Sequence, residues 1–352
     1  MTQAPPLSTP PSLQASASSR SARRWMDLAG PAIALAVIFL LFVFLVPDWT
    51  EKVQLADGTL VSRPLSYQLT RFANFENVSN ILRQSCMTAV AALGMTFIII
   101  AGGIDLSAGS LAAFTGVLIA VTLRSGSPAG AHLEAHPVLW PLFSAGIGVF
   151  FALFCGLLNG AVISGLRIMP FIVTLGTMMI FRGHAKGFGH ESNVPTINNS
   201  LWTLMGNLSD GTRWMLFPPA IWITLLLAVV MAIVLNYSRF GRQVIAVGSN
   251  EQTARLCGIS VGRVKLLVYT LGGLFTGIAG LFFYSRITQG SPTSADAFEL
   301  DVIAAVVIGG ASLSGGKGSI FGSCVGALIL NVIARGCSQV HIPEFLRRST
   351  TT

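Results

Sequence analysis

Residues 102–109 read GGIDLSAG and residues 309–316 read GGASLSGG. Both follow Gly-Gly-x-x-Leu-Ser-x-Gly, and each interrupts a hydrophobic segment. Glycine-broken segments at matching places in two halves point to structural repeats with a translocation path between them. Unwound backbone survives at membrane depth only where it is enclosed by protein or lines a cavity, and there its amides and carbonyls can meet a polar solute. Gly102, Gly103, Asp105, Ser107, Gly309 and Gly310 are therefore the candidate path residues. The plainer role for such glycines is close helix approach, as expected for the G-x-x-x-G pairs Gly156–Gly160, Gly273–Gly277 and Gly322–Gly326.

Asp105 is the sole charge in the apolar stretches 28–47, 86–123, 138–166, 168–181, 214–238, 266–285, 302–316 and 318–334. At the bilayer centre a carboxylate costs about 2.5–3.5 kcal/mol on insertion scales, so it must be paired, hydrated or at an interface. It could bind solute or switch a gate. It could equally cap a helix opening at Leu106, accepting hydrogen bonds from the amides of Ser107 or Ala108.

The segment 236–265 carries five basic residues against one acidic, and Gly248, Ser249, Gly258 and Ser260 bracket EQTARL. A short helix held between glycine turns has the shape of a docking element. Composition alone favours a solvated linker with phospholipid-facing arginines. SGGKGS (314–319) is no phosphate loop: Ala311 stands where the first glycine belongs, Gly318 follows Lys317, and no sheet strand precedes it. No metal-binding cluster or nucleophile elbow occurs, so neither a cofactor nor an active site is expected. The five scattered cysteines read as small packing residues.

These motifs need elements that position them. Only 10% of the 352 residues are charged, against about 25% in ordinary soluble domains. The continuous apolar runs predict an all-α polytopic membrane protein and exclude a β-barrel. The net charge of +8 sits in loops between spans, which excludes a nucleic-acid reading. About nine spans are expected: 28–47, two within 86–123, then 138–163, 168–181, 215–235, 266–284, 302–313 and 319–334. Val78, Ile81, Leu82 and Ser85 suggest a short amphipathic helix on the membrane surface. The domain reading is a disordered tail over 1–27, a permease domain over 28–334 and a divergent tail over 335–352. Arg20, Arg23 and Arg24 before the first span place the amino terminus inside.

Four blocks then carry a resemblance: GMTFIIIAGGIDLSAGS (94–110), LRIMPFIVTLGTMMIFRG (166–183), GRQVIAVGSNEQTARLCGISVGRVKLLVY (241–269) and ELDVIAAVVIGGASLSGGKGSIFG (299–322). The chain resembles, from about 28 to 334, the permease subunits of ABC-type importers of the ribose, xylose and arabinose group. The resemblance implies alternating access in the bacterial inner membrane, with a second permease copy, an extracytoplasmic sugar-binding protein and a separate cytoplasmic ABC ATPase as partners. It makes Gly248, Asn250, Glu251, Ala254, Arg255 and Gly258 the ATPase-coupling residues. It turns loops 182–214 and 285–301 toward the binding protein, with Arg182, Glu299 and Asp301 as contacts. The family continues after the region of 319–336 with another apolar span, whereas this chain passes through RGCSQVHIPEFLRRSTTT. Either a tenth span is missing, or one of the nine counted here is not a span. The rival readings are an ABC permease for branched-chain amino acids, an ion-coupled secondary transporter and a non-transporting membrane scaffold.

Overall fold

The computed structural model describes residues 16–45, 53–54, 60–61, 72–124, 136–206 and 215–339. The helices are α1 (Ser16–Leu45), α2 (Phe75–Ile100), α3 (Ala108–Thr122), α4 (Leu139–Leu166), α5 (Pro170–Phe188) and α6 (Pro219–Tyr237). The short α7 (Arg239–Ser249) and α8 (Glu251–Leu256) precede α9 (Val261–Ile287), α10 (Phe298–Ile308) and α11 (Ile320–Gln339). Two antiparallel two-residue pairs complete the inventory: β1 (Val53–Gln54) with β2 (Leu60–Val61), and β3 (Val194–Pro195) with β4 (Gln289–Gly290).

Among the described residues, α2, α4, α6, α9 and α11 are long and apolar enough to cross a membrane. Their burial separates axle from rim. In its most apolar window α2 is 89% buried, whereas α6 is 22% buried and turns Leu225, Leu226, Val229 and Ile233 outward. Glycines set the closest approaches. A Cβ on Gly156 of α4 would lie 2.8 Å from the Cα of Gly273 on α9, and Gly309 abuts Gly322 at the start of α11. That is the small-residue packing expected of these pairs.

The bundle has two distinguishable ends. At one, the rings of Phe75 and Phe217 stack at 5.5 Å, the Trp140 indole donates to the Thr122 carbonyl, and β3 pairs with β4. This is the strand end, where α2, α4 and α6 begin and α3, α5 and α9 finish. At the opposite, short-helix end lie α7, α8 and both glycine breaks.

Four expectations are corrected. The surface helix expected over Val78–Ser85 is the opening of α2 itself, with Ile81 and Ser85 buried. Its polarity is absorbed because the Ser85 hydroxyl donates to the Ile81 carbonyl at 2.8 Å. The helix after the first break opens at Ala108, since Asp105 engages Ser107 before the first turn. The span expected over 302–313 is an 11-residue helix, α10, about 16 Å long and half a bilayer thick. Finally, α1 opens at Ser16, within the segment expected to be disordered tail. Residues 1–15, and the terminal stretch 340–352 with Arg347 and Arg348, lie outside the described residues.

Candidate functional site

Both breaks are helix ends of one kind. After α2, Gly102 (φ +80°) donates to the Ile99 carbonyl and Gly103 to that of Ile98. After α10, Gly310 (φ +93°) donates to Val307 and Ala311 to Val306. These paired bonds around a left-handed residue form the Schellman arrangement, which glycine adopts without a Cβ clash. The geometric equivalent of Gly102 is thus Gly310, one residue out of register with the sequence echo, which aligns Gly102 with Gly309.

Behind the first break the polar groups are enclosed. Asp105 Oδ1 accepts the Ser107 amide at 2.8 Å and the Ser107 hydroxyl at 2.6 Å, and Asn159 Nδ2 donates to that hydroxyl oxygen at 3.1 Å. The Ile104 carbonyl accepts from Tyr269 at 3.3 Å and from Thr174 at 3.4 Å. Asp105, Ser107, Asn159, Thr174 and Tyr269 are all buried. α3, α4, α5 and α9 therefore converge on one unwound segment, whose carboxylate acts here as a turn-former. Gly103 is buried, while Gly102 and Gly310 are exposed. Asn159, Thr174 and Tyr269 escape sequence inspection; the only signal is a hydrogen-bonding side chain inside an apolar run.

The two breaks meet. Gly316 donates its amide to the Ile100 carbonyl at 2.8 Å, and a Cβ on Gly315 would lie 3.2 Å from the Cα of Gly102. Into this contact comes Gly248, near the end of α7. A Cβ there would fall onto the Ile100 carbonyl and 2.7 Å from the Gly316 nitrogen. Gly248, Ile100 and Gly316 thus touch backbone to backbone, with no side chain to act as a cushion.

From that junction the chain enters α8. The Asn250 side chain caps it by accepting the Thr253 amide at 2.9 Å, and Ala254 is buried. Gly258 (φ +80°) ends it with another Schellman arrangement, through Gly258 to Arg255 and Ile259 to Ala254. Glu251 takes Lys265 Nζ at 2.7 Å and Arg255 Nη2 at 3.1 Å. The Lys265 ammonium holds the Glu251 carboxyl below its ordinary value. Leu256 projects almost fully into the surroundings. This short helix is thus capped at both ends and bears one bare leucine.

At the strand end, the segments after α5 and α9 are sewn together. Tyr284 donates its hydroxyl to Thr196 at 3.0 Å and accepts from Asn199 at 2.9 Å; Ser285 donates to the Leu201 carbonyl at 2.6 Å. Arg182 forms an ion pair with Asp296. Of the three expected contact residues, Arg182 is so engaged and Asp301 is exposed. Glu299 is turned inward: its carboxylate packs where a Cβ on Gly109 would stand. That burial leaves Glu299 no outward face.

A helical bundle with paired glycine breaks and five helices long and apolar enough to cross a membrane defines a membrane-embedded protein. The chain belongs to the family described as branched-chain amino acid transport system / permease component, which matches residues 77–348. The ribose import permease protein RbsC of Bacillus subtilis (strain 168) is 34% identical over 321 residues, covering 91% of this chain and 88% of that protein. RbsC of Escherichia coli (strain K12) is 35% identical over 274 residues, 78% of this chain and 81% of its own. The L-arabinose transport system permease protein AraH of the same strain is 32% identical over 328 residues, 93% and 88% of the two chains. No solved structure matches.

Proposed function

We propose that this chain is the membrane subunit of an ATP-driven importer that moves a monosaccharide of the pentose class. The ribose and arabinose permeases among its relatives support that solute over the branched-chain amino acids of the family description. The carrying observation is the junction of Gly248 with Ile100 and Gly316, because any displacement of α7–α8 is delivered to both breaks without slack.

In this reading the amino terminus and the short-helix end face the cytoplasm of a bacterium, across its inner membrane. A separate ATPase grips α8 around Asn250, Glu251, Ala254, Arg255 and Gly258. A sugar-loaded binding protein lands on the strand end. A second permease copy completes the path against the outward face of α10, where Leu300, Val307 and Ile308 are exposed. Gly102, Gly103, Gly309 and Gly310 border the path, and Asp105 with Ser107 fixes the turn behind it. Closure of the ATPase then alternates access between the two ends.

The test is uptake of labelled ribose and arabinose into vesicles holding the permease, with and without a partner ATPase and ATP. Accumulation that depends on both supports the reading; accumulation that persists without the ATPase removes it.

A further inference from the structure

The short helix α10 lies between two left-handed residues, Ala297 (φ +62°) at its start and Gly310 (φ +93°) just past its end. Glycine takes that conformation freely, whereas alanine takes it against a steric penalty, so the start of α10 is a strained turn. The next residue, Phe298, is buried and meets Phe283 edge to face at 4.9 Å, which seats the turn on α9. Beyond it Glu299 and Val302 are buried while Leu300 is exposed, so α10 is packed on one side only.

Two carboxylates flank that turn in opposite circumstances. Asp296, before it, is exposed and forms the ion pair with Arg182 of α5, whose own side chain is only 19% exposed. Glu299, after it, is 9% exposed, and its Oε2 is buried with no hydrogen-bond partner among the described residues. Gly109, in the first turn of α3, makes the room. A Cβ there would fall onto Glu299 Oε2 and lie 2.7 Å from the Ala295 carbonyl oxygen. A mostly buried guanidinium is thus bonded to a carboxylate that water could serve, while a buried carboxylate oxygen goes unserved. Leaving a buried polar atom unpaired is costly, and a charge-assisted hydrogen bond is the strong remedy. Asp296 and Glu299 are three residues apart, at most about 10 Å even on an extended chain. A turn of the backbone between them can therefore present either one to the same guanidinium fork.

We infer that Arg182 exchanges Asp296 for Glu299, and that this exchange unlatches α10 from α3. In the arrangement described, Arg182 holds Asp296 and the Glu299 carboxylate is wedged over Gly109. In the exchanged one, rotation at Ala297 brings the Glu299 carboxylate out to Arg182. Asp296 then turns to water, and the start of α10 loses its seat on α3. Because α10 runs into the second glycine break, the exchange moves one wall of the proposed path. The exposed Asp301 lies on another side of the helix and takes no part. The latch belongs to the chain itself and does not depend on which solute it carries.

The experiment is hydrogen exchange over 298–308 in the purified permease, held in phosphatidylcholine nanodiscs. Wild type, Asp296→Asn, Glu299→Gln and the double variant are compared, each with and without Arg182→Gln. Asp296→Asn leaves Glu299 as the charged partner for Arg182 on this turn. Exchange in α10 should then quicken about tenfold, the size of a coupling between neighbouring groups. Glu299→Gln keeps the shape over Gly109 but not the charge, so the quickening should vanish in the double variant. It should vanish equally when Arg182→Gln is present, and Asp301→Asn should change nothing. A quickening that persists without the Glu299 carboxylate, or without the Arg182 guanidinium, overturns the inference. So does unchanged exchange in Asp296→Asn. If the buried Glu299→Gln fails to fold, Asp296→Asn with and without Arg182→Gln makes the same decision. Wild-type chain that shows this coupling yet takes up no sugar removes the functional reading and leaves the latch standing.

Discussion

Gly316 donates its amide to the carbonyl of Ile100, and Gly248 packs directly against that bond. Three segments distant in the chain are thereby locked at one point. Replacing Gly248 with Ala forces a Cβ onto the Ile100 carbonyl. A cost of about 1–3 kcal/mol is expected, as for overpacked interiors. The control is Gly277→Ala, where a Cβ would crowd Ala152 and the Val149 backbone away from the junction, at a similar cost of about 1–3 kcal/mol. Thermal unfolding in detergent should show both losses. Uptake per ATP hydrolysed should collapse for Gly248→Ala if the junction transmits motion, and equal ratios for the two variants would deny it that part.

Asp105 separates charge from shape. Asp105→Asn retains an oxygen for the Ser107 amide and hydroxyl, so stability and uptake close to wild type are expected. Asp105→Ala strands those donors in a buried site, at about 1–3 kcal/mol. Uptake lost in Asp105→Asn at unchanged unfolding temperature would instead assign the negative charge a direct part in passage.

Tyr284 is the clasp of the strand end. Tyr284→Phe removes the hydroxyl shared by Asn199 and Thr196 and should cost about 1–3 kcal/mol. Hydrogen exchange should quicken over 194–204 and 288–290 while α2 stays protected.

The Glu251–Lys265 pair gives α8 a pH dependence. The folded carboxyl is held below its ordinary value of 4.5, so the contribution is complete above that value and is lost as pH falls through the lower folded one. Protection of α8 amides should be level from neutral pH down to the ordinary carboxylate range and decline only below it. In Glu251→Gln the decline should vanish.

Much of this was legible in the residues. Apolar run length announced the bundle, because a helix in lipid must satisfy its own backbone. The glycine echo located both breaks, yet missed their register: helix ends are set by which residue takes the left-handed turn, and a string of letters aligns Gly102 with Gly309, not Gly310. Val78–Ser85 looked amphipathic because serines count as polar, although a hydroxyl bonded to its own helix can be buried. Arg182 and Asp296 could not be paired from spacing, since they lie far apart in the chain and only packing unites them.

The isolation of α2 at the centre of the bundle has a consequence for biosynthesis. Thr96 of α2 bonds Ser323 of α11 at 2.7 Å, and the turn after α2 depends on Tyr269 of α9. A ribosome delivers α2 and α3 well before either partner exists. Until then Thr96 and the Ile104 carbonyl must be satisfied by water, by the insertion machinery or by an early neighbour such as α4 or α5. Maturation of this core therefore waits for α11, and a nascent chain halted before it should remain a substrate for membrane quality control, however apolar its finished spans.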